Sequence, residues 1–304
     1  MPHDDAACSA EECTVTVSGG SMGGLFTGVA LDRAGHDVAV FEQSAGELRS
    51  RGGGIVAQRS VRSFLSRHTA ATPQHVTTTT SERRFLTADG DVRTATPDSM
   101  TFTSWDAVYR ALRDAFPDDR YHTGKRVTDV TPATAAAAFA DGSERSADLL
   151  VAAEGGRSST REQLFPDVTP EFADYVAWRG VVPEGDLSAS VADAFDDRFT
   201  FYQGTGSLIL AYFIPGPDGG IDPGDRRLNW VWYDTLAGRD RGQLFTDASG
   251  TERRFSVPPG RLRDPVERQQ RDRASTTLPP TFAATVAATD EPFVQAIYDL
   301  TTPS

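Results

Sequence analysis

The sequence predicts an α/β fold in which a Rossmann-like domain is followed by a second, mainly antiparallel β-sheet domain, and three observations carry that reading. Between residues 14 and 41 a β-branched run, a glycine-rich turn, a run with helix-spaced apolar residues and a second apolar run follow in the order of a βαβ unit. Beyond Pro170 the composition shifts towards aromatics, and strand-like runs alternate with Gly- and Pro-rich turns, as in antiparallel sheet. The length, 304 residues, suits about two domains.

Thr14 to Ser18 alternates and is β-branched, as a strand requires. The turn after it opens a helix from Met22 to Arg33, with Leu25, Val29 and Leu31 at helical spacing, and Gly35 stops it. Asp37 to Phe41 is the second strand and ends in Glu42. After Arg59 a helix continues through Ser63 to Arg67, and Arg83 to Ala95 reads as a hairpin about Asp89-Gly90. Trp105 to Ala115 is a helix with Val108, Leu112 and Phe116 on one face. Arg126 to Ala140 alternates as strands, Asp141-Gly142 turns the chain, and Leu149 to Ala153 is a fully apolar strand running into Glu154-Gly155-Gly156. Phe199 to Tyr202, Leu208 to Ile214 and Leu228 to Tyr233 are the strands of the second domain. Ser256 to Arg273 begins in a Pro-Pro-Gly turn and becomes helical, and Pro279 to Ala288 is a further helix.

The 43 acidic residues are 30 Asp and 13 Glu, and the 30 basic residues are 29 Arg and one Lys, Lys125, giving a net charge of -13. Such a field disfavours nucleic acid and anionic membranes as partners. An Asp-rich, nearly Lys-free composition fits either a halophilic protein kept soluble in concentrated salt or the codon bias of a GC-rich genome. No window approaches the roughly 18 uncharged apolar residues of a membrane helix. The acidic stretch from Met1 to Cys13 has no apolar core of a secretory signal, so the expected location is cytoplasmic. Cys8 and Cys13 have no second pair, and the five histidines lack ligand spacing, so no metal site is expected.

Val17 to Leu25 reads V-S-G-G-S-M-G-G-L and sits directly after a strand, where it opens a helix. Gly19 permits the tight turn and Gly24 close helix-to-strand packing, while the helix N–H groups face a pyrophosphate. The middle glycine of the pattern is Ser21. Glu42 ends the next strand at about the 20-residue interval from which a carboxylate reaches ribose hydroxyls. Gly204-Thr205-Gly206 lacks a third glycine, so a second nucleotide would have to bind without a Rossmann domain of its own.

With these residues the chain resembles the single-component FAD-dependent aromatic hydroxylases of the para-hydroxybenzoate hydroxylase fold, which are GR2-type flavoproteins, and within them the 2,6-dihydroxypyridine 3-monooxygenase-like branch. Besides the fingerprint with Glu42, Leu48 to Gln58 (L-R-S-R-G-G-G-I-V-A-Q) is similar to the family loop whose arginine, here Arg51, reaches the pyrophosphate. Asp148 to Arg161 is similar to the family's D-G motif with Glu154 at the aspartate position, and Tyr175 to Pro183 resembles the crossing into the substrate domain. The resemblance implies an FAD contact set of Gly19, Gly20, Ser21, Met22, Gly24, Glu42, Gln43, Arg51, Arg110, Val127 and Glu154. It also implies a layout: an acidic lead-in at 1–13, an FAD-binding domain at 14–170 with a hairpin insertion near 77–100, and a substrate domain at 171–272. Residues 273–304 then return to the FAD domain, and the sequence stops short of the family's later G-D motif.

The activity so implied is hydroxylation of an electron-rich aromatic or N-heteroaromatic ring, with NADH or NADPH reducing FAD and dioxygen supplying the oxygen. Two alternatives stand beside it: a truncated, catalytically incompetent nucleotide-binding remnant, and another FAD oxidoreductase of the same fold, such as a halogenase or reductase. The expected substrate pocket is apolar and aromatic-lined with a few polar groups. Tyr202, Tyr212, Trp230 and Trp232 are candidates for its walls and Gln58 for a polar group, against the plainer reading that these aromatics are sheet core. Arg179 either orients an acidic group or pairs with a carboxylate, no residue stands out as a catalytic base, and a homodimer is compatible with the family.

Overall fold

A computed structural model describes residues 12–46, 48, 53–236 and 238–301, with the backbone alone at position 73. In chain order its elements are β1 (Thr14–Ser18), α1 (Met22–Arg33), β2 (Asp37–Phe41), β3 (Gly54–Val56), α2 (Arg59–His68), β4 (Thr78–Leu86), β5 (Val92–Ser104) and α3 (Trp105–Ala115). There follow β6 (Tyr121–His122), β7 (Val127–Thr131), β8 (Ala136–Phe139), β9 (Glu144–Ser146), β10 (Leu149–Ala152), α4 (Ser159–Leu164), β11 (Glu171–Pro183) and α5 (Ala189–Phe195). The remainder is β12 (Arg198–Gly204), β13 (Ser207–Ile214), β14 (Arg227–Thr235), α6 (Arg241–Phe245), β15 (Ser256–Val257), α7 (Asp264–Thr277), α8 (Pro280–Ala287) and β16 (Phe293–Asp299). Two compact units emerge, one holding β1 to β2 and β6 to α4, the other holding β3 to β5 and β11 to β16.

The first unit is built on a four-stranded parallel sheet in the order β10, β1, β2, β6. β1 is central, and its residues after Thr14 are buried, as suits its β-branched T-V-T-V run. The small β7-β8-β9 sheet adds a second layer, in which Phe41 packs on Phe139 at 4.7 Å among Ala39, Val127 and Val130. Gly28 lets α1 approach closely: a Cβ there would lie 2.9 Å from Val40 and 3.1 Å from Phe116.

The second unit is a nine-stranded mixed sheet in the order β15, β16, β11, β14, β13, β12, β4, β5, β3. Its two faces carry different sets of side chains because side chains alternate. Trp178, Trp230, Trp232, Ile209 and Val294 point to the face packed with Phe195, Leu244, Val266, Phe282 and Val286, which is the main core. The opposite face carries Phe102, Phe199, Tyr212 and Ile214, with Phe201, Leu210 and Val181 beside them.

Two expectations about layout are corrected here. The hairpin β4–β5 is no insertion of the first unit: β4 runs parallel to β12 from Glu82 to Phe85 and extends the large sheet. Nor do α7, α8 and β16 return to the first unit. β16 pairs antiparallel with β11, with Val294 opposite Trp178, and its buried Phe293 and Val294 are drawn into this sheet by the core they complete.

Candidate functional site

The glycine turn of the first unit is fixed by contacts that leave no room for a side chain. Gly19 has φ +106, and a Cβ there would lie 2.5 Å from the Ala153 carbonyl oxygen; a Cβ on Gly24 would lie 1.7 Å from the Gly19 oxygen. Ser21 is the N-cap of α1, yet its side chain makes no capping bond. The first-turn N–H groups and the positive end of the helix dipole are therefore not claimed by that hydroxyl, as an anion site requires. Met22 is half-buried in that turn.

Glu42 is buried at the end of β2, where Oε2 accepts the Gly20 N–H at 2.9 Å and Oε1 the Ser44 N–H at 2.8 Å. An ionised carboxylate has about four acceptor positions, so two remain for ribose hydroxyls. Gln43 beside it is exposed. Beneath the turn lies a tyrosine pair that the sequence reading missed. The Tyr121 hydroxyl donates to the Gly20 carbonyl at 2.8 Å and lies 3.4 Å from the Tyr109 hydroxyl, which accepts the Leu48 N–H at 3.2 Å. Burial, then the contact with Tyr109, pushes the Tyr121 hydroxyl far above the usual tyrosine range, so it stays a donor. Its signal in the sequence was only an isolated Tyr after a short acidic turn.

Glu154 is engaged within its own segment. Its carboxylate accepts from the Ser18 hydroxyl at 2.6 Å, the Ser158 hydroxyl at 2.7 Å, the Thr160 hydroxyl at 2.8 Å and the Thr160 N–H at 3.0 Å. Burial pushes its pKa up, but these hydrogen bonds outweigh burial and hold it below the usual glutamate value. It thus ties β1 to the start of α4 instead of projecting a free carboxylate. Val127 is a core residue of the small sheet, and Arg110 is half-buried on α3. Arg51 lies outside the described residues.

The second unit brings together only part of the expected pocket. Tyr212 stacks on Phe102 at 3.9 Å and meets Phe199 edge-on at 5.3 Å. Trp230 and Trp232 are turned to the other face, fully buried, with their indole N–H groups donated to Thr289 at 2.9 Å and Ser207 at 2.6 Å. Tyr202 packs against that same core, so these three are corrected to structural aromatics. Gln58 is exposed at the start of α2. Asn229, which the sequence reading passed over, is wholly buried beside Tyr212; its Oδ1 accepts the Gly54 N–H at 2.6 Å, which orients the amide with Nδ2 unpartnered. Arg179, on the same face, donates to Gln295 Oε1 at 3.1 Å and has no carboxylate partner among the described residues. Burial raises the Tyr212 hydroxyl above its ordinary range, with Arg179 pulling the other way.

Against known proteins, residues 172–299 match the FAD binding domain-like family. The chain is 32% identical over 291 residues to the 2,6-dihydroxypyridine 3-monooxygenase of Paenarthrobacter nicotinovorans, covering 94% of this chain and 72% of that one. The chain belongs to the FAD-dependent aromatic monooxygenases. Among other members of that family, the aurachin C monooxygenase/isomerase of Stigmatella aurantiaca is 30% identical over 233 residues, covering 70% of this chain and 60% of that one. The solved 2,6-dihydroxypyridine-3-hydroxylase of Arthrobacter nicotinovorans superposes with a TM-score of 0.89 at 31% identity, over 95% of this chain and 73% of that one. FAD is accordingly the cofactor, and the glycine turn, the open first turn of α1 and the spare acceptor positions of Glu42 fit it.

Proposed function

We propose that this monooxygenase hydroxylates an electron-rich N-heteroaromatic ring at the expense of NADH or NADPH and dioxygen. The single observation that carries the reading is the aromatic face of the large sheet, where the buried Phe102, Phe199 and Tyr212 stack on one another beside polar groups that can each donate a hydrogen bond. The Arg179 guanidinium has no acceptor atoms, Tyr212 keeps its proton, and Asn229 offers Nδ2 once its oxygen is taken by Gly54. Such a face suits a flat ring that carries oxygen acceptors, and the named relative acts on a dihydroxypyridine.

Bound FAD supplies the redox chemistry and the activation of dioxygen. The protein's share is to hold and shield. The turn from Gly19 to Gly24 and the α1 N-terminus would hold the pyrophosphate and Glu42 the adenosine ribose, while the Tyr109–Tyr121 pair keeps the turn in place. The aromatic wall aligns the ring and excludes water, and the donors stabilise its oxygen substituents in the electron-rich, anionic form. The test is substrate-stimulated NAD(P)H oxidation: hydroxypyridines and phenols should accelerate it and yield a ring with one added oxygen. Oxidation that no aromatic ring stimulates would contradict the reading.

A further inference from the structure

One face of α2 carries a charge arrangement that this activity has not absorbed. Arg59, Arg62, Ser63, Ser66 and Arg67, with Gln74 beyond the helix, line an open surface groove of about 460 Å³. Spacings of three, four, seven and eight residues put them on one side of the helix. None of the three arginines has a carboxylate partner among the described residues, whereas several arginines elsewhere do: Arg226 pairs with Glu184 and Asp196, and Arg239 and Arg273 both pair with Asp234. Leaving three like charges together on one helix face costs stability unless an anion visits them. In a chain of net charge -13, acidic partners were abundant.

We infer that this groove is the docking site for the phosphates of the nicotinamide dinucleotide, and that it favours NADPH over NADH. This rests on the proposed function, which requires a second dinucleotide, and the chain has one glycine fingerprint, already matched to FAD. Guanidinium and hydroxyl groups are the side chains that grip phosphate oxygens. From Arg59 to Arg67 the helix rises about 12 Å at 1.5 Å per residue. That row is longer than one phosphate needs and matches a ligand with two phosphate groups apart along its length, as the pyrophosphate and 2′-phosphate of NADPH are.

The experiment is equilibrium titration of the FAD-loaded protein with NADPH, NADH, 2′-AMP and inorganic phosphate, at low and raised salt, for the wild type, Arg62→Gln/Arg67→Gln and Arg59→Gln. Wild type should bind NADPH more tightly than NADH and bind 2′-AMP measurably. The double variant should lose about tenfold or more in NADPH affinity, from the loss of charge-assisted bonds, lose less towards NADH, which lacks the 2′-phosphate, and keep its FAD affinity, and Arg59→Gln should likewise weaken NADPH. Glutamine is a good helix former, so the helix survives the exchange. Equal NADPH affinities in wild type and double variant, or a wild-type preference for NADH, would overturn the assignment. Equal binding of inorganic phosphate and NADPH would overturn the dinucleotide as occupant. Failure of the wild type to take up FAD would instead contradict the proposed function, and the 2′-AMP titration would still read this site.

Discussion

At the scale of single residues, the site is defined by where a side chain is forbidden and where one is fully engaged. Gly24→Ala would drive a Cβ into the Gly19 carbonyl, so the turn must open; FAD affinity, followed by flavin fluorescence quenching, should fall by at least about tenfold. Tyr121→Phe removes the donor to the Gly20 carbonyl while keeping the ring, and should lower stability by about 1–3 kcal/mol in denaturant titration. Glu154 makes a pH prediction. Its unfolded value is near 4.5 and its folded value lower, so its contribution is complete above 4.5 and fades as pH falls through the folded value. The wild type should therefore lose more of its melting temperature between neutral and acidic solution than Glu154→Gln does.

At the scale of elements, the sequence made most strands and helices legible, but not the faces they present. The βαβ unit, the hairpin about Asp89-Gly90, the helix from Trp105 to Ala115 and the three strands from Phe199 to Tyr233 all stand where periodicity put them. The faces were not legible because Tyr202, Trp230 and Trp232 differ from Tyr212 only by which side of the sheet they take, and that depends on register. No local pattern carries that information when both faces are apolar. Asn229 and the Tyr109–Tyr121 pair were invisible for a related reason: their partners lie far along the chain. The parity assignment can be tested directly. Trp230→Ala should cost about 3–5 kcal/mol of stability by emptying the core. Phe201→Ala, on the other face and only half-buried, should cost less and raise the KM of the aromatic ring.

At the scale of the molecule, composition and fold tell separate stories. The pairing of the hairpin with β12 and of β16 with β11 assigns both ends of the second unit to one large sheet, a consequence of long-range pairing that composition could not announce. The acidic composition bears on solution behaviour instead: if it serves solubility in concentrated salt, the melting temperature should rise between low salt and about 1 M KCl as repulsion is screened. No gain would leave codon bias as its source. The central claim is that this chain holds FAD and uses it to oxygenate an aromatic ring, and oxygen uptake by the FAD-loaded protein with NADPH and a hydroxypyridine measures it most directly. Uptake should require the ring and match the hydroxylated product formed; flavin-loaded protein that consumes no oxygen in response to any hydroxylated ring would contradict this.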